Sequence, residues 1–236
     1  MAVTGTVIGQ DPGACRPRKG FVSAGFHDFM RGGDMREVQP IRDPEIIVEI
    51  QNYLKVRNFR NYLLFTMGIH CGLRISDLLS LKVGDVRDQL HINYVAKKTR
   101  NRRKRRKERR FIIHPSYYDD LMMYIRDMDD DEYLFASRQK KSNGEKGQPI
   151  SRQMAWRIMS DIAKRFGLED IGTHSLRKTW GYHMLMNAPR EQWGYVIALL
   201  MEAFGHESQE VTLRYLGLTQ DMLDRMVLRL SFTKTG

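Results

Sequence analysis

With 236 residues and 42% apolar content, the chain is long enough to bury one good core and too apolar to be disordered throughout. No apolar run reaches the ~20 residues of a membrane helix. The N-terminus lacks the basic-then-apolar layout of a signal peptide, and the two cysteines, Cys15 and Cys71, form no disulfide framework and no zinc spacing with the histidines, which fits a reducing interior.

Residues 1–34 hold seven glycines and two prolines without periodicity, the composition of a flexible arm. Order is expected from about Val38. Asp43-Pro44 reads as a helix opening, a cap followed by proline at the first helical position, with Ile46, Ile47, Ile50 and Leu54 at helical spacing. A second helix, Asn61 to His70, stops at Gly72. Ser76 or Asp77 is placed to cap a third, carrying Leu78, Leu79 and Leu81. Arg74 falls at this junction among core residues, where an unpaired guanidinium would be costly. An ion pair with Asp77 is the plain structural reading.

Leu90 to Val95 alternates as a strand, and Phe111 to His114, closed by Pro115, reads as its partner. Between and beside them lies the segment that carries the charge. Residues 97–110, K-K-T-R-N-R-R-K-R-R-K-E-R-R, hold eleven Lys or Arg and one Glu, a local +10 out of a net +11. A projecting cationic hairpin of this kind can track a phosphate backbone without reading bases. Lys97, Arg100, Arg102, Arg103, Lys104, Arg105 and Arg106 are therefore the expected DNA contacts, and double-stranded DNA the expected partner. Lys98 lies near the rigid base of the hairpin, where a side chain can be positioned closely.

From Ser116 to about Met128 a helix places Leu121, Met122, Ile125 and Met128 on one face, followed by an extended piece at Tyr133 to Phe135. Residues 137–149 form a basic loop. Ser151 caps a helix to about Phe166, ended by Gly167, with Met154, Ile158, Ile162 and Phe166 inward. Further helices are expected at about 174–187, 191–203, 208–216 and 219–230. The fold class is thus mainly α with a small antiparallel sheet, in one domain from residue 35 onward.

Four polar groups fall on otherwise core-like C-terminal segments: His174, Arg177, His206 and Tyr215. His174, His206 and Tyr215 each have a plain explanation, a helix cap, a turn and a half-buried phenol. Together the four suit phosphodiester transfer. Tyr215 would be the nucleophile, needing help to lose a proton of pKa about 10. Arg74 and Arg177 would clamp the non-bridging oxygens. His174 and His206 would donate hydrogen bonds or shuttle the phenolic proton, and Lys98 would protonate the leaving 5′-oxygen. None of this needs a metal or an organic cofactor.

The same residues resemble the tyrosine recombinase, or phage integrase, family. C-G-L-R-I-S-D-L is similar to the motif of its first arginine, here Arg74, with Asp77 at the acidic supporting position. H-S-L-R is similar to the H-x-x-R box at His174 and Arg177. F-G-H-E-S is similar to the motif that places His206, and Tyr215 follows nine positions later. K-K-T-R aligns Lys98 with the family's strand lysine, Lys97 being the adjacent alternative. The resemblance covers about Val38 to Gly217. It implies a site-specific recombinase forming a 3′-phosphotyrosyl intermediate, working as a homotetramer on DNA in the cytoplasm. The 29 positions from Arg177 to His206 exceed the common interval, with M-N-A-P-R-E-Q-W as the insertion. Only an arm and one or two helices precede Arg74, so the small single-domain relatives are the nearer comparison, and an accessory DNA-binding protein is an expected partner. A regulator that lost catalysis and a type IB topoisomerase are the alternatives.

Overall fold

The computed structural model describes residues 37–95, 108–137, 147–228 and 230. The expected arm at 1–34, most of the basic run at 96–107 and the core of the 137–149 loop lie outside them. The described elements run α1 (Pro44–Arg57), α2 (Phe59–Cys71), α3 (Ile75–Leu78), β1 (His91–Val95), β2 (Glu108–Ile112), α4 (Pro115–Ile125), α5 (Arg152–Arg165), α6 (Thr173–Met186), α7 (Trp193–Phe204), α8 (Gln209–Tyr215) and α9 (Leu218–Val227). The two strands pair antiparallel, His91 opposite Ile112 and Val95 opposite Glu108. This is a mainly helical fold with one small sheet. No described helix is long and apolar enough to cross a membrane.

Local chemistry accounts for most boundaries. The Asp43 carboxylate accepts from the Glu45 amide and Pro44 follows at the first helical position, so α1 starts where its sequence signals. Ser151 and Ser208 cap α5 and α8 by accepting from Met154 and Val211. At the end of α2, Gly72 adopts φ 59°. A side chain there would collide with the Trp180 ring as well as strain the left-handed backbone.

Several expectations are corrected. The third helix is a single turn with Arg74 at its N-cap and no side-chain cap, so neither Ser76 nor Asp77 plays that part. Leu79 and Leu81 are buried beyond it, where the chain swings to bring Lys82 against Tyr133 in an isolated bridge. β2 begins at Glu108, taking the last residues of the basic run into the sheet. Pro115 opens α4 instead of closing a strand, since its fixed φ suits a first helical position. Met154 is exposed, and Ala155 and Met159 join Ile158 and Ile162 on the inward face of α5. The longer interval before His206 is absorbed by a short 3-10 turn, Arg190–Gln192, ahead of α7.

Two apolar clusters result. The larger gathers α1 to α5 and both strands around Leu63, Phe65, Leu78, Leu121 and Phe135. The smaller gathers Tyr182, Leu185, Val196, Leu200, Phe204, Leu216 and Leu218 from α6 to α9. Helix α6 belongs to both. Leu176 enters the larger cluster, Tyr182 and Leu185 the smaller. Gly181 allows the second contact, because a β-carbon there would lie 2.6 Å from the Phe204 ring and 2.9 Å from Leu216.

Candidate active site

The seam between the clusters is where the polar residues converge. Helices α2 and α7 both end there, on Gly72 and on Gly205 at φ 73°. The last carbonyls of a helix lack partners within it and carry the negative end of the helix dipole, so they attract cations. Arg177, 6% exposed on α6, answers both ends. Its Nη1 donates to the Gly72 carbonyl and its Nη2 to the Ala203 carbonyl at 2.9 Å. The guanidinium also lies over the Phe204 ring, 4.7 Å from its centre. Arg74, at the start of α3, donates to the next carbonyl, Phe204, at 3.2 Å. The expected pairing with Asp77 is replaced by this bond, and the Asp77 side chain is buried behind the turn. Two guanidiniums are thus fixed side by side on one helix end.

The same helix end sets His206. A backbone turn in which the His206 amide donates to the Met201 carbonyl and the Gly205 amide to the Glu202 carbonyl carries the chain out of α7, the Schellman geometry that needs a left-handed residue at Gly205. His206 Nδ1 lies 3.0 Å from Thr212 Oγ1, whose hydroxyl donates to the Ser208 carbonyl. In the tautomer where Thr212 donates to Ser208 it accepts from Nδ1–H, and Nε2 carries the lone pair. Burial, then Arg177 and Arg74, lowers the His206 pKa, which keeps the ring neutral near pH 7.

Tyr215 ends α8. Thr212 and Leu216 beside it are fully buried, and its half-buried ring packs 5.0 Å from Phe204 and 5.1 Å edge-on to His206. Its phenol lies in the field of Arg177 and Arg74. Burial raises the phenol's pKa, while the charges of Arg177 and Arg74 oppose that rise. His174 stands exposed in the first turn of α6, whose N-cap is Gly172 and not the histidine. Desolvation, then Arg177, Arg74 and Lys178, lowers its pKa. Arg74, His174, Arg177, His206 and Tyr215 therefore share one electrostatic neighbourhood. Lys97, Lys98, Arg100 and Arg102 to Arg106 lie outside the described residues.

One member was missed from sequence. Lys178 is 2% exposed, its ammonium 4.8 Å from the centre of the Tyr215 ring and paired with Glu37 at 2.7 Å. A lysine inside an apolar helix, next to the H-x-x-R box, was the available signal.

Residues 43–221 match the phage integrase family, and the chain belongs to that family, the tyrosine recombinases. It is 40% identical over 187 residues to a probable integrase/recombinase, YoeC, of Bacillus subtilis, covering 79% of this chain and 93% of that one. It is 31% identical over 151 residues to the tyrosine recombinase XerC of Herpetosiphon aurantiacus, covering 64% of this chain but only 45% of that one. Among solved structures, XerA recombinase superposes with a TM-score of 0.59 at 21% identity, over 86% of this chain and 67% of that one. XerH bound to a palindromic difH substrate superposes with a TM-score of 0.58 at 20% identity, over 83% and 54%. The chain thus spans about half the length of the Xer-type relatives XerC and XerH.

Proposed function

We propose that this protein is a site-specific DNA recombinase in which Tyr215 is the nucleophile. The Tyr215 oxygen attacks a backbone phosphorus, a tyrosyl–phosphorus bond forms to the 3′ side and the bond to the 5′-oxygen breaks. Attack by the 5′-hydroxyl of a second duplex on that link reverses the chemistry and exchanges strands. The observation that carries this reading is the convergence on one helix end: Arg177 and Arg74 are tied to the adjacent Ala203 and Phe204 carbonyls, and the Tyr215 ring packs against Phe204 and His206 beside them. The guanidiniums neutralise charge growing on the non-bridging oxygens. Because burial holds the phenol protonated, a base is needed, and the neutral His206 offers Nε2 for the phenolic proton. His174 donates to the phosphate, Asp77 supports the Arg74 turn, and Lys98 protonates the leaving oxygen.

DNA is the proposed partner. The +10 run supplies the sequence-independent phosphate contacts, and XerH, whose fold this chain shares, was solved on a DNA substrate. Residues 1–34 act as an arm to the catalytic domain at 35–236. Assembly as a tetramer is supported by the exposed Leu223, Val227, Leu228 and Leu230 at and beyond α9, an apolar surface suited to a second copy. The test is covalent trapping on nicked duplexes tiling the DNA that flanks the gene. The native protein should give a protein–DNA adduct resistant to denaturant and Tyr215→Phe should give none, with binding retained. An adduct that survives Tyr215→Phe contradicts the assignment.

A further inference from the structure

Segment 37–42 crosses the back of the site. Its bonds reach both α6 and the turn after Tyr215. The Ile41 amide donates to Thr179 Oγ1 at 2.8 Å, and the Ile41 carbonyl lies 3.0 Å from His183 Nε2. Arg42 Nη2 donates to the Gly217 carbonyl at 3.1 Å, two residues past the nucleophile. At its head, Glu37 holds the Lys178 ammonium. The Lys178 side chain is 3% exposed and that of Glu37 61% exposed, so the carboxylate is a surface group that neutralises a buried charge. A buried ammonium is tolerated only while paired and hydrogen-bonded. This one also sits within cation–π range of the Tyr215 ring.

We propose that Glu37 and Lys178 are positioning residues for Tyr215: the carboxylate holds the ammonium beneath the phenol ring, and segment 37–42 thereby sets where the attacking oxygen stands. Arg177 and Lys178 are adjacent on α6 and divide the work. Arg177 meets the helix-end carbonyls of Gly72 and Ala203, whereas Lys178 meets the Tyr215 ring. Take away the Glu37 charge, and the ammonium must shed its proton or leave. In either case the ring loses its seat. Since residues 1–36 join the chain directly at Glu37, anything that displaces the head of this segment also displaces the nucleophile. The inference rests on Tyr215 being the nucleophile only for its catalytic consequence, not for the coupling itself.

The full chain carrying 3-fluorotyrosine at position 215 reads the coupling without DNA. Glu37→Gln, at an exposed position, should shift or split the fluorine resonance, and Glu37→Asp, which restores the charge, should return it toward the native position. On the nicked flanking duplexes, Glu37→Gln should slow adduct formation about tenfold, as expected for a displaced reacting group, while leaving DNA affinity within about twofold. An unchanged resonance in Glu37→Gln, or no recovery in Glu37→Asp, overturns the proposal. A resonance that responds while even the native protein forms no adduct upholds the coupling and removes Tyr215 as nucleophile.

Discussion

The two sides of the seam are built differently. The guanidinium side bridges the two clusters, and its cations are tied by directional hydrogen bonds to backbone carbonyls at two helix ends, that of α2 in the larger cluster and that of α7 in the smaller. The phenol side rests on the smaller cluster, where Tyr215 is held mainly by ring packing on Phe204 and His206 and by the ammonium of Lys178. The positive charge is therefore fixed before substrate arrives, in the manner of a preorganised anion site. The phenol is held by less directional forces. The proposed mechanism needs that asymmetry, because in it the tyrosine leaves its resting place to join a broken strand while the phosphate clamp stays put.

Arg177→Ala should break the comparison most severely. It strips a buried cation from the Gly72 and Ala203 carbonyls, costing about 3 kcal/mol of folding stability for the two lost bonds and the orphaned acceptors. Adduct formation should disappear with it. Urea unfolding and covalent trapping check the two parts. Arg74→Ala sharpens the contrast. This arginine is less buried and makes one carbonyl bond, so stability should fall only about 1 kcal/mol. Adduct formation should still drop roughly a hundredfold, as for loss of one group stabilising the transition state. Equal stability losses in the two variants would mean that both arginines are structural.

The smallest effect is on pH dependence. His174 and His206 both have pKa values lowered by desolvation and by the flanking arginines. Between their folded values and the unfolded value near 6.5 the unfolded chain binds more protons, so stability is full above that range and declines as pH falls through it. His206→Gln should flatten that acid-side decline in a urea titration. An unchanged slope would show that His206 is not held neutral at the seam.

Much of this arrangement was legible in the sequence, where local chemistry decided the outcome. Asp43-Pro44, Ser151, Gly72 and Gly167 mark helix ends through capping or positive φ, and each does so in the fold. The motifs spanning Arg74, His174, Arg177, His206 and Tyr215 indicated the site because their spacing is set by the helices that bring them together. What sequence hid was tertiary. Leu78, Leu79 and Leu81 have the apolar density of a helix, yet the chain turns after Leu78 to meet Tyr133. Met154 has helical spacing with Ile158, but the surface of α5 begins at that residue. Arg74 turns to a carbonyl of α7, and no local pattern predicts that acceptor 130 positions away. The Glu37–Lys178 pair joins residues 141 positions apart, a separation that periodicity cannot report.

The central claim is that one chain supplies both the phenol and the guanidiniums that serve it. Mixing Arg177→Ala protein, which keeps Tyr215, with Tyr215→Phe protein, which keeps Arg177, tests this directly on the nicked duplex. If each site is complete within one protomer, the mixture should form no more adduct than either variant alone. Adduct restored by mixing would contradict the account, because it would require Tyr215 of one molecule to act beside the arginines of another.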